Sequence, residues 1–212
     1  MSLAGRISRA LPALLAFAAL GCTDMVRVTE TPSVAKGGIA MRRVAVAPFR
    51  AVQRPSAPPM PSDVGSQVGG FVADALARRG VDVVPPPDVA QGLGMMDPSL
   101  PLPEPRTIVQ AAIERFGVDT VVVGSVTRWR ERSGQAAGTM EPASVALEAK
   151  IYTAAGAALL WAGAFDETQV ALGVNVLKAT QYPGGGTRWL TAAEFARFGA
   201  DQVVSRIPIA AH

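Results

Sequence analysis

The side chains that most often do chemistry are scarce in this sequence. Its 212 residues hold one cysteine, Cys22, and one histidine, His212. A nucleophile needs a base within hydrogen-bond reach. A histidine beyond Pro208 builds no Ser–His or Cys–His pair from ordered elements, so residues 209–212 read as a tail. Structural zinc needs four Cys or His ligands, and no such cluster occurs. Asp63, Asp74, Asp82, Asp88, Asp119 and Asp166 are dispersed, without the alternating acidic loop that holds calcium. "YPGGGTRW", 182–189, lacks the Gly-Lys-Ser/Thr ending of a phosphate cradle and follows no clear strand. No catalytic, cofactor or metal residue can be named. An enzyme would require carboxylates that only the fold brings together.

One stretch does combine charge with an aromatic plane. "TRWRER", 127–132, read as a strand, puts Arg128, Arg130 and Arg132 on one face and Trp129 on the other. Such a strand end discourages edge pairing. Arginine and tryptophan are also enriched at interface hot spots, which makes these four residues the candidate partner surface. A nucleic-acid reading of the same residues needs a sustained positive field. The pI of 9.5 suggests one. However, residues 1–21 carry Arg6 and Arg9 and no acid, leaving 18 basic and 17 acidic residues. Nucleic acid is therefore not an expected partner.

Cys22 takes its meaning from what precedes it. Arg6 and Arg9 form a short basic region, and Ala10–Leu20 is apolar with one interruption at Pro12. That run is about half of the ~20 residues a membrane-spanning helix needs, which suits a signal-peptide core. Ala19-Leu20-Gly21-Cys22 resembles the bacterial lipobox, in which the leader is removed and the cysteine is acylated. The resemblance implies a signal peptide over 1–21 and lipid attachment at Cys22. Two or more acyl chains, at ~0.8 kcal/mol per buried methylene, make a stable membrane anchor. Thr23 rather than Asp after the cysteine implies, by the lipoprotein sorting rule, the outer membrane, with the chain facing the periplasm.

The remaining pattern predicts one α/β (α+β) domain over 42–208, following a polar tether at 22–41. "RRVAVAPF", 42–49, is a buried strand ended by Pro48. After the proline-rich "RPSAPPMPSD", apolar residues from Val64 to Leu76 recur at helical spacing, and Gly80 supplies the stop. "VDVV", 81–84, is a strand, and 105–116 a helix closed by Gly117. The strand over 119–132 begins continuously apolar. "PASVALEAKIYT", 142–153, alternates, which is the pattern of a strand with one solvated face. "LLWAGAFDET" returns as its hairpin partner. Thr191-x-x-Glu194 is a capping box opening the last helix. The predicted order, β-α-β-α-β-β-β-α, makes a single mixed sheet with helices packed on it.

Three short motifs in this order resemble one family. Val44-Ala45-Val46-Ala47-Pro48-Phe49 is similar to the first strand of envelope lipoproteins related to the curli-export component CsgG, a group that includes LpoB and the amino-terminal domain of TolB. "FGVDTVVVGSV", 116–126, and "AALLWAGAFDETQ", 157–169, resemble that group's central strand and hairpin strand. The resemblance implies a non-catalytic periplasmic domain that docks on an envelope protein or forms a homo-oligomer, without cofactors. The expected role is envelope assembly or cell-wall maintenance. The alternative is a homo-oligomeric scaffold of an export apparatus, and the third reading is an enzyme with an unrecognised carboxylate site. The junctions at 133–141 and 154–157 are too short for transmembrane strands of ~9–11 residues each, so a pore is not expected.

Overall fold

The computed structural model describes residues 24–55, 57–96 and 102–210. The expected signal peptide over 1–21, Cys22 and His212 lie outside the described residues. Two strands set the centre of the fold. β2 (Arg43–Val46) and β5 (Thr120–Arg130) run parallel, with β4 (Asp82–Val84) parallel on the far side of β2. β8 (Ser144–Thr153) and β9 (Leu159–Thr168) continue the sheet from β5 as antiparallel neighbours. β1 (Val26–Glu30) closes the edge beyond β9, giving the order β1-β9-β8-β5-β2-β4. β3 (Arg50–Ala51) adds a short parallel pairing to β5 at Ser125 and Val126.

Helices cover the two faces unequally, and the sequence pattern follows. α2 (Val64–Arg78) and α6 (Ala192–Ser205) share one face with Val44, Val46, Val122 and Val126. α3 (Pro86–Gly92) and α4 (Pro105–Phe116) share the other with Ala45, Ala47, Val121 and Val123. Strands buried on both faces read as continuous apolar runs. β8 is fully covered on one face and partly on the other, where Ser144 and Ala146 are buried and Tyr152 packs against the second cluster. Val145, Leu147, Ala149 and Ile151 enter the core while Glu148 and Lys150 stay half-exposed, as the alternation predicts.

The structure departs from the sequence reading in five places. The tether assignment ends early, because Val26–Glu30 pairs with β9 and Pro32–Gly37 forms α1. Only Val26 of β1 is buried, so this edge strand left no alternating signal. α3 hides in the run after Pro85: Pro86 and Pro87 occupy the first helical turn, where a missing N–H breaks no helical bond. The junction 133–141 folds into a small hairpin, β6 (Ser133–Gln135) and β7 (Gly138–Glu141). α5 (Val176–Ala179) is a single turn capped by the Asn175 side chain, which accepts from the Lys178 N–H. Ile209, read as tail, bridges to Ile39.

Aromatic packing seats α6 on the sheet. Phe165 of β9 meets Phe195 edge-on at 5.3 Å, and Tyr182 meets Phe195 at 5.5 Å. Edge-on pairs place a positive ring edge against a negative face, worth about 0.5–1.5 kcal/mol beyond burial. Burial pushes the Tyr182 hydroxyl up to about 12, so it stays protonated. It accepts a hydrogen bond from the Val170 N–H at 3.4 Å. α6 also joins α2 through Arg197–Asp74 at 3.2 Å and the Arg78–Asp201 pair.

Candidate partner-binding groove

Several of the carboxylates that an enzyme reading would draw on are engaged with neighbouring cations or backbone. Asp119 accepts from the Arg42 and Arg43 N–H groups at 3.2 and 3.1 Å. The Arg43 N–H bond, more than any other contact, holds its carboxyl below the usual carboxylate range. Asp82 pairs with Arg43 at 3.4 Å, and Glu148 with Lys150 at 2.8 Å. Among the described residues, no three of the His, Cys, Asp and Glu side chains gather in a way that suits a metal ion. No helix among them is long and apolar enough to cross a membrane.

The end of β5 is where charge and apolar surface meet. β3 stops at Ala51, and Val52 makes one further bond, its N–H donating to the Val126 carbonyl at 2.8 Å. Beyond Val126 the β5 edge on this side has no strand partner among the described residues. The proline-rich segment 53–60 crosses over it instead. Gln53 holds that loop together: its amide donates to the Ala57 carbonyl at 3.0 Å and its oxygen accepts from the Met60 N–H at 3.2 Å. Between loop and strand lies a groove of about 160 Å³. Arg54, Pro58 and Met60 form one wall, and Thr127, Trp129 and Arg130 the other.

The four residues expected to make a partner surface are divided by the structure. Arg128 touches the groove, but its guanidinium is committed elsewhere. It pairs with Asp166 at 2.6 Å and donates to the Ser144 hydroxyl at 2.7 Å, crossing β8 to clamp β9. Arg132 leaves the groove altogether and donates to the Trp189 carbonyl at 3.0 Å. Its neighbour Glu131 accepts from the Ala192 N–H at 3.1 Å, at the amino end of α6 where negative charge is favourable. Two members of the expected set thus serve the fold.

Trp129 and Arg130 are the members of the set that stay with the groove. Trp129 is half-buried and packs against the main core, so its ring is held in place before any ligand arrives. The Nε of Arg130 is buried without an acceptor among the described residues. An unsatisfied buried donor costs about 1–3 kcal/mol. The loop wall, with Arg54 and Met60, belongs to the proline-rich segment "RPSAPPMPSD". Its prolines predicted a stiff segment but gave no sign of which strand it would cover.

A scan of family models and a search of curated proteins each found no match. Solved structures do match. A point variant of the PelC dodecamer from Paraburkholderia phytofirmans is similar with a TM-score of 0.50 and 18% identity, over 88% of this chain and 98% of that one. The C-terminal domain of LpoB from Salmonella enterica gives 0.43 and 16%, over 65% and 90% of the two chains. A lipoprotein of Neisseria meningitidis gives 0.42 and 17%, over 60% and 81%. At these identities the likeness is one of fold, and what the PelC variant shares with this chain is the arrangement of a mixed sheet and its helices.

Proposed function

We propose that the chain is a non-catalytic lipoprotein of the bacterial envelope. Acylated Cys22 holds it to the outer membrane, and its periplasmic domain binds a protein partner in envelope assembly or cell-wall maintenance. The observation that carries this reading is the groove at the end of β5, where a fixed Trp129 stands beside an Arg130 whose buried Nε lacks an acceptor. Binding hot spots have this composition: aromatic and arginine anchors in a pocket that excludes water. The sequence motifs shared with the LpoB group agree with it. Crosslinking and pull-down from envelopes tests the reading. A partner captured by the wild type is lost with Trp129→Ala; capture of the same partner by both chains contradicts the assignment.

The second reading is a homo-oligomeric scaffold of an export apparatus. The fold shared with the PelC variant, a dodecamer, supports it. So do the exposed side chains of Val174, Val176 and Leu177, close together along the chain, since exposed apolar patches commonly mark association sites. Sizing the domain without residues 1–22 decides the matter: a discrete large oligomer favours the scaffold, and a monomer the partner-binding domain.

A further inference from the structure

The groove has one sign of charge and one kind of floor. Arg54 and Arg130 both line it, and neither makes an ion pair or donates a side-chain hydrogen bond among the described residues. Among the described residues, no carboxylate lines it. Arg130 differs from Lys36 and Arg115, cations on exposed surface, because its Nε is shut away from water as well as from acceptors. Trp129, Met60 and Pro58 supply apolar lining in the same groove.

We propose that the groove takes an extended acidic segment of a partner protein. Its carboxylates meet Arg130 and Arg54, and an apolar side chain between them lies on Trp129 and Met60. This rests on the partner-binding reading above and names the partner's chemistry. Charge complementarity selects a carboxylate: guanidinium and carboxylate match as planar, doubly hydrogen-bonded partners. The shape selects an extended chain. β5 offers an edge without a strand partner beyond Val126, and such edges accept peptide strands through main-chain bonds while flanking pockets read the side chains. Two cations on an apolar floor do not suit nucleic acid, whose backbone needs many phosphate contacts. A second copy is the competing occupant, since exposed Met140 beside Glu141 on the β6–β7 hairpin offers similar groups.

The test uses the full-length lipidated protein in detergent micelles and two dye-labelled peptides amidated at the carboxyl end. One alternates Glu and Leu; the other replaces each Glu with Gln. Fluorescence anisotropy, corrected with empty micelles, reads binding. The Glu peptide is expected to bind about tenfold more tightly, as one charge-assisted bond to a desolvated guanidinium implies. The preference shrinks in Arg130→Gln and, separately, in Arg54→Gln, an exposed site whose change leaves folding intact. Equal affinity for the two peptides overturns the proposal, as does a preference unchanged in both variants. So does self-association in sedimentation that Arg130→Gln abolishes, without peptide binding, because a second copy then owns the groove. If Trp129→Ala still loses its envelope partner while the peptides bind alike, only the acidic specificity falls. If that variant keeps its partner, the partner-binding reading falls with it.

Discussion

Phe49 and Gly124 belong to two short motifs far apart in the sequence, and the fold lays one against the other. A methyl group added at Gly124 would meet the Phe49 ring at 2.2 Å, and Phe49 is buried. Gly124→Ala therefore forces a packed ring to move, a change that typically costs about 1–3 kcal/mol. Urea unfolding should show a lower midpoint at unchanged slope; an unshifted midpoint would mean the ring has room. Glu194 makes a second residue-scale case. Its carboxyl is held at about 2 against an ordinary 4.5, chiefly by the Arg188 side-chain bond and then by the Thr191 contacts. A lowered folded-state value stabilises above the ordinary value, and that stability is lost as pH falls from about 4.5 towards 2. Glu194→Gln should flatten this part of the acid-unfolding profile, while Thr191→Ala should cost about 1 kcal/mol at neutral pH through the lost cap. An acid limb unchanged in Glu194→Gln would contradict the assignment. The capping box was legible because both partners are local; the Phe49–Gly124 contact was not, because nothing in either motif names the other.

Among the elements, those with two covered faces or one strict face were readable. β5 and β8 announced themselves by a continuous run and by an alternation, and α2, α4 and α6 by their helical stripes. α3 did not, because its opening prolines mask the helix, and neither did β1 and the β6–β7 hairpin, where little surface is buried and little pattern is imposed. Their weak burial carries a dynamic consequence, since elements with few buried apolar contacts open at lower free energy. Hydrogen exchange should find the amides of β5 and β8 protected longest, with those of β1 and β6–β7 exchanging first. Protection of β1 equal to that of β8 would show that the edge is covered by something other than β9.

For the whole molecule, the sequence reading grouped the three arginines and the tryptophan of "TRWRER" as one surface, and the fold separates them. Arg128 and Arg132 tie β5 to β9 and to the approach to α6. Trp129 and Arg130 face the groove, which exists only because a proline-rich loop from the other end of β3 crosses the same strand. No local pattern encodes that crossing. Attachment is tested separately: an acyl probe should label the wild type and not Cys22→Ala, and equal labelling would end the lipoprotein reading. The central claim, that this groove holds a partner protein, is tested most directly by a photo-crosslinking side chain in place of Pro58. The full chain carries it in intact envelopes, with a second chain crosslinked from Gly70, a position with open space around it. The groove position should give one discrete adduct heavier than the chain, absent from the control and lost with Trp129→Ala. No adduct from position 58, or the same adduct from both positions, would contradict the account.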